Sequence, residues 1–390
     1  MLSTIIFAVL LVAAVVFLIA LIVNAIRLWV RKARKAESHP VLVKVKRSVI
    51  CFLAAGALCV GFAFLTQAFA STPGIDGDNA VAELKRVELN GRREWISIRG
   101  NNRNNPVLLF LAGGPGGSQM AAVRHDLAAL EEHFVVINWD QPGSGKSYGA
   151  AGGALTPNDY IDDGYALTKI LCEEFGQEKI YLVGESWGSA LGIFMIDRAP
   201  ELYHAFIGTG QMVSFLDTEL MDYELAMQIA NDRGDSKTIA TLEANGKPPY
   251  YGKDVTWKSA AYLQYLSDYM NANPAIQNGG YNTFRDLFSG EYGVWDKINY
   301  LRGVVATFNT VYPQLYDIDL REDYPAVEVP VYFFIGRHDV NAPVSLAKEY
   351  YDLLDAPEKE LVWFEHSGHS PWINESGLFV SELLRVTGAE

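Results

Sequence analysis

Residues 180–199 leave the chain few options. Ile180 to Val183 is an uninterrupted apolar run, Gly184-Glu185-Ser186-Trp187-Gly188 follows it, and Ala190 to Ala199 reads as a helix stopped by Pro200. A short apolar run that ends at a glycine reads as a buried strand. Strand, tight turn and helix in that order form the setting of a nucleophile elbow, G-x-S-x-G, which holds a serine at a sharp tip. Glycines flank the tip because a Cβ there would strike neighbouring backbone. Ser186 is therefore the candidate nucleophile, turned toward a base supplied from elsewhere in the chain.

The same alternation recurs on both sides of the elbow. Leu84 to Leu89, an Asn90-Gly91 turn and Glu94 to Ile98 read as a hairpin. Val107 to Leu111, Phe134 to Asn138, Ala205 to Gly208, Val331 to Ile335 and Glu360 to Phe364 read as further strands. Helical stretches at Tyr160 to Phe175, Pro343 to Leu354 and Ser376 to Val386 separate several of them. Strands alternating with helices imply an α/β class with a mostly parallel sheet and helices on both faces. Between Val213 and Glu322 strong strand runs stop and aromatic-rich helical stretches take over. That segment reads as a helical cap inserted into the core. The expected organisation is an anchor at 1–70, a linker at 71–81, core at 82–212, cap at 213–322 and core again at 323–390.

In a parallel sheet the C-terminal strand ends share one edge, where sites assemble. Ser186, Asp339 and His369 each follow a predicted strand. Acyl transfer needs a nucleophile, a base and a residue that orients the base. His369 is the expected base and Asp339 the expected orienting acid. His366, three residues earlier, competes for the first role and Asp140 for the second. His338 and Glu185 read as structural neighbours. The run Ala112-Gly113-Gly114-Pro115-Gly116-Gly117 ends a strand, so unobstructed backbone N–H groups there can meet a developing oxyanion. One donor is assigned to Gly114 or its neighbour Gly113, the other to Trp187, the residue after the nucleophile. The stretch Gly143-Ser144-Gly145-Lys146-Ser147 lacks the earlier glycine that a phosphate-binding loop, G-x-x-x-x-G-K-[ST], requires.

The first seventy residues are of another kind. Ile5 to Val23 is wholly apolar, and Val49 to Ala70 is a second apolar run. Each is long enough to span a bilayer as a helix. Eight basic residues lie between Arg27 and Arg47, so the positive-inside rule puts that loop in the cytoplasm and the body outside it. Ala68-Phe69-Ala70 also resembles a signal-peptidase site, and cleavage after Ala70 is the alternative to a retained two-helix anchor. The whole chain carries a net charge of −14. Residues 71–390 hold 24 basic and 45 acidic residues, a net of −21. So acidic a body argues against nucleic acid as a partner. Three cysteines and scattered histidines give neither a disulfide framework nor a metal-ligand spacing, so no metal and no cofactor are expected.

The stretches AGGPGG at 112–117, WDQPGSGKS at 139–147 and GESWGS at 184–189, with GRHD at 336–339 and SGHSP at 367–371, resemble the α/β-hydrolase superfamily. Within it they are similar to the proline iminopeptidase-like serine peptidases. The resemblance covers residues 82–390. It implies an α/β-hydrolase core with a helical cap and release of an N-terminal residue, often proline, from small peptides; the alternatives are an esterase or lipid hydrolase of the same fold, or a catalytically silent extracytoplasmic binding domain. It also implies cap carboxylates that hold the substrate's free amine, for which Glu219 and Glu224 are the candidates by chemistry. The chain departs from the family at Ala112, where a His is usual, and at Pro142, where an Arg is usual.

Overall fold

The computed structural model describes residues 2–389. The chain divides into two compact units. One comprises Met1–Ser71 with Phe288–Ile298, the other Thr72–Leu287 with Asn299–Glu390.

The first unit is built on α1 (Leu2–Ala33) and α2 (His39–Ala68), which pack against each other along their length. Both are long and apolar enough to cross a membrane. They run longer than their apolar cores because the basic residues beyond each core are good helix formers. Few of their apolar side chains are buried, whereas the helix of a water-soluble core would bury a stripe. A polar contact joins them, Asn24 Nδ2 donating to Ser48 Oγ at 3.1 Å. The end of α2 ties to the second segment of this unit: Val294 N donates to Thr66 Oγ1 at 3.1 Å and Ser71 N to Gly290 O at 3.1 Å.

The second unit is an eight-stranded sheet. Its strands are β1 (Val81–Leu89), β2 (Arg92–Gly100), β3 (Val107–Leu111), β4 (Val135–Asp140), β5 (Ile180–Glu185), β6 (Tyr203–Thr209), β7 (Val331–Gly336) and β8 (Lys359–Phe364). Their order is β1-β2-β4-β3-β5-β6-β7-β8. The first two junctions are antiparallel and the rest parallel. The helices between strands are α3 (Met120–Asp126), α4 (Pro157–Phe175) and α5 (Trp187–Arg198). A capping box between Thr156 and Asp159 starts α4, and Gly176 at φ +65° ends it.

Pleating sends alternate residues of a strand to opposite faces, and β3 uses both. Val107, Leu109 and Leu111 join a core with Leu167 and Leu191, while Leu108 and Phe110 join a second core with Val123 and Phe379. Helices cover both faces, as the continuous apolar strands required.

Between β6 and β7 the chain is helical, with α6 (Phe215–Arg233), α7 (Ser236–Asn245), α8 (Val255–Asn271), α9 (Thr283–Leu287), α10 (Val294–Val311) and α11 (Leu320–Asp323). Tyr223, Ala226, Leu242, Val255, Tyr262 and Leu266 form a separate buried cluster there. Full burial of a side chain such as Leu266 contributes about 1.5–3 kcal/mol, so α6, α7 and α8 hold together through their own apolar contacts. The chain closes with α12 (Val344–Leu353), the short α13 (Pro371–Asn374) and α14 (Ser376–Thr387).

Candidate active site

Ser186 sits between β5 and α5 with φ +53° and ψ −121°, a conformation that L-residues rarely adopt. The neighbours explain how it is held. A Cβ at Gly184 would collide with Gly188 O, and one at Gly188 would collide with Leu111 O. Both must be glycine for the turn to close. Ser186 N donates to Thr209 O at 3.0 Å, and Ser189 Oγ donates back to Ser186 O at 2.6 Å. The tip is thus fixed to β6 and to the first turn of α5.

Asp339 and His369 lie beyond the ends of β7 and β8. His369 Nδ1 is 2.9 Å from Asp339 Oδ2. Asp339 is buried, and its Oδ1 also accepts the backbone N–H groups of Asn341 at 2.9 Å and Ala342 at 3.0 Å. Burial disfavours a charged imidazole, yet the adjoining Asp339, with Glu185 adding, outweighs it and lifts the His369 pKa to about 9. With Nδ1 held by a carboxylate, Nε2 is left as the atom that can take a proton. The competitors go elsewhere. His366 is exposed, with Nδ1 3.1 Å from Ala275 O. Asp140 accepts the Ser118 hydroxyl and Lys146 N. His338 bonds Ser367 O through its backbone N–H.

Ser186 and His369 line one cavity of about 120 Å³ with Gly114, Trp187 and Asp222. Phe215, Leu263 and Phe308 supply apolar wall. Trp187 is the first residue of α5, where a helix N–H has no carbonyl of its own helix to meet. Gly113 touches the elbow as well: a Cβ there would lie 3.3 Å from Ser186 Cβ. Gln141 braces the two sides, since its Nε2 donates to Ala112 O at 3.1 Å and its Oε1 accepts Trp187 Nε1 at 2.9 Å. That brace gives the WDQPG stretch its place beside the site.

Neither carboxylate named for the substrate's amine lines this cavity. Glu224 is exposed and pairs with Lys247 at 2.9 Å. Glu219 is buried behind the wall, with Oε1 accepting Tyr312 Oη at 3.0 Å and Oε2 accepting Ser259 Oγ and the Tyr262 hydroxyl. The reason is helical geometry. Five residues along α6 turn a side chain about 140° away, whereas three return it to within about 60° of the same face. The residue three after Glu219 is Asp222, and it lines the cavity. Both its oxygens are buried without a hydrogen-bond partner among the described residues. Burial, with Glu219 and Asp339 nearby, pushes its pKa well above the usual carboxylate range. Burial likewise raises Glu219 to about 7 against its three hydroxyl donors. An i, i+3 pair of acids on a helix otherwise showing apolar residues inward was the signal available in the sequence.

A family model for the alpha/beta hydrolase fold matches residues 106–376, well over half of the chain. The chain belongs to the α/β-hydrolase family. This hydrolase is 32% identical over 317 residues to a Bacillus subtilis (strain 168) protein named Probable aminopeptidase YbaC, covering 78% of this chain and 96% of the relative. It is 25% identical over 301 residues to the proline iminopeptidase of Lactobacillus delbrueckii subsp. lactis, covering 74% and 92%. Among solved structures, the proline iminopeptidase of Mycobacterium smegmatis superposes with a TM-score of 0.58 at 19% identity, covering 78% of this hydrolase and 98% of that chain. At that identity the superposition speaks for the fold.

Proposed function

We propose that this protein is a membrane-anchored serine hydrolase that releases N-terminal residues from small peptides through an acyl-enzyme. The observation that carries the reading is Asp222, a buried carboxylate without a partner in the same small cavity as Ser186 and His369. An unpaired buried acid is costly unless a cation meets it. A substrate's free α-ammonium is such a cation, and a cavity of about 120 Å³ admits one small residue. The relatives named as aminopeptidase and proline iminopeptidase agree with this reading.

In this reading Ser186 Oγ adds to the carbonyl carbon while His369 Nε2 takes its proton. The carbonyl oxygen, now negative, meets the N–H of Trp187 and of Gly114 or Gly113. His369 returns the proton to the leaving nitrogen, the C–N bond breaks, and water repeats the sequence to free the acid. Asp339 keeps the imidazole in register and offsets its charge. The two apolar helices are the anchor, with the basic loop between them cytoplasmic and the catalytic unit outside.

The test is hydrolysis by the full-length protein in detergent. Prolyl and alanyl arylamides should be cut, their N-acetylated forms should not, and Ser186→Ala should lose activity by at least about a thousandfold. A fluorophosphonate should label wild type and not Ser186→Ala. Cleavage of short-chain esters alone would replace the aminopeptidase reading with an esterase. Absence of both turnover and labelling would remove the hydrolytic reading.

A further inference from the structure

A second cavity of about 280 Å³ adjoins the first, and His369 and Asn341 line both. Its other walls carry amides and hydroxyls, among them Gln264, Ser267, Asn271 and Asn374, with Met270 and Ile276. No Asp, Glu, Lys or Arg lines it. The inner cavity holds the nucleophile and Asp222 and suits the acyl side of the substrate. The outer one lies across His369 and suits the leaving group.

Asn341 stands at the junction. Its backbone N–H is held by Asp339 Oδ1 at 2.9 Å, and its Nδ2 donates to Ser267 Oγ at 3.1 Å. Those two bonds fix the side chain. Its Oδ1 remains buried and accepts nothing among the described residues. A buried acceptor left unmade is costly, and this one belongs to a residue that lines both cavities, where a ligand's donor can reach it.

We propose that Asn341 Oδ1 accepts the N–H of the scissile amide and so selects amides over esters; this rests on the peptide-cleaving reading above. Stereochemistry supplies the reason. When Ser186 Oγ has added, the substrate nitrogen is tetrahedral and carries one hydrogen and a lone pair. The lone pair must face His369 to receive the proton that lets the C–N bond break. The hydrogen then points away from His369 and needs an acceptor at the junction of the acyl and leaving-group cavities. Asn341 Oδ1 meets that N–H as the nitrogen pyramidalises and holds the lone pair on His369. The proton balance is unchanged: Ser186 gives a proton to His369, His369 gives it to the nitrogen, and the amine leaves through the outer cavity. An ester oxygen has no hydrogen to offer, so its cleavage gains nothing from Asn341.

The experiment compares prolyl 4-nitroanilide with prolyl 4-nitrophenyl ester, in the full-length protein in detergent, for wild type, Asn341→Ala and Asn341→Asp. The readout is kcat/KM, which reports acylation. Asn341→Ala should lose about tenfold to a hundredfold on the anilide and stay within about twofold on the ester, with Ser186 still labelled by fluorophosphonate. Asn341→Asp keeps an oxygen at the same place and should hold the anilide-to-ester ratio near wild type, which covers an Ala variant that fails to fold. Equal loss on both substrates, or no loss on either, overturns the role of Asn341 while the peptide-cleaving reading stands. A wild type that cuts the ester and never the anilide overturns both.

Discussion

Two carboxylates of the catalytic unit are equally buried and oppositely served. Glu185 and Asp222 are each 1% exposed. Around Glu185, Oε1 accepts Ser370 Oγ at 2.5 Å and Trp372 Nε1 at 2.9 Å, and Oε2 accepts the Tyr281 hydroxyl and Gln119 Nε2. Around Asp222 neither oxygen has a partner. A satisfied buried acid is framework: Glu185 ties the segment after His369 to Gln119, which follows the glycine run at 113–117. The orphaned acid beside Ser186 is the group on which the proposed amine site rests. Partner count, not burial, separates the two, since they are equally buried.

Removing the framework acid should have the largest effect on stability. Glu185→Ala leaves the buried Ser370 hydroxyl and Trp372 indole N–H unmade, and at about 1–3 kcal/mol for each unsatisfied group the loss should be at least about 2 kcal/mol in reversible urea unfolding. Asp222→Asn should do the reverse, leaving the unfolding midpoint unchanged or slightly raised, because a buried group that resists ionisation is replaced by a neutral isostere. A large destabilisation by Asp222→Asn would erase the contrast between the two acids.

The next effect is a pH dependence. His369 must be neutral to act as a base, and its pKa is lifted to about 9. For a neutral ester substrate, kcat/KM should therefore climb about tenfold per pH unit up to near pH 9 and level off above it. A plateau reached near pH 6.5 would mean that Asp339 does not hold the imidazole in solution. Proton release is a smaller and more specific signal. Burial pushes the Asp222 pKa well above the usual carboxylate range. A bound cation favours the carboxylate, so binding pyrrolidinium should release protons from wild type that Asp222→Asn does not release. Calorimetry in buffers of different ionisation enthalpy measures it. Last, Glu224→Gln should change neither activity nor stability beyond about 0.5 kcal/mol, as expected of an exposed pair.

Much of this was legible in the sequence, for physical reasons. Parallel strands buried on both faces show as unbroken apolar runs, so β3, β5 and β7 could be read almost residue by residue. The elbow was legible because only glycine fits at 184 and 188 once a serine takes a positive φ. The capping box at Thr156 and Asp159 was a local signal that a reading begun at Tyr160 passed over. The strand order was not legible. β3 and β4 exchange places in the sheet, and only tertiary packing decides that. Asp222 was missed because the inward face of α6 carries two acids among its buried residues, and periodicity does not say which of them reaches the cavity. Glu219 met tyrosines contributed by α8 and by the chain just after α10, some 43 and 93 residues away. That left Asp222, one turn later on the same face, for the cavity. Asn341 was equally silent in the sequence, since an unmade hydrogen bond shows only once every other partner is in place.

The most direct measurement is the ratio of kcat/KM for prolyl arylamide to that for its N-acetylated form, in wild type and in Asp222→Asn. Full-length protein in detergent serves for both. The expected result is a ratio well above about a hundred in wild type that collapses toward unity in the variant, with the variant still labelled at Ser186. A wild-type ratio near unity, or a high ratio that survives Asp222→Asn, would contradict the assignment of the orphaned carboxylate to the substrate's free amine.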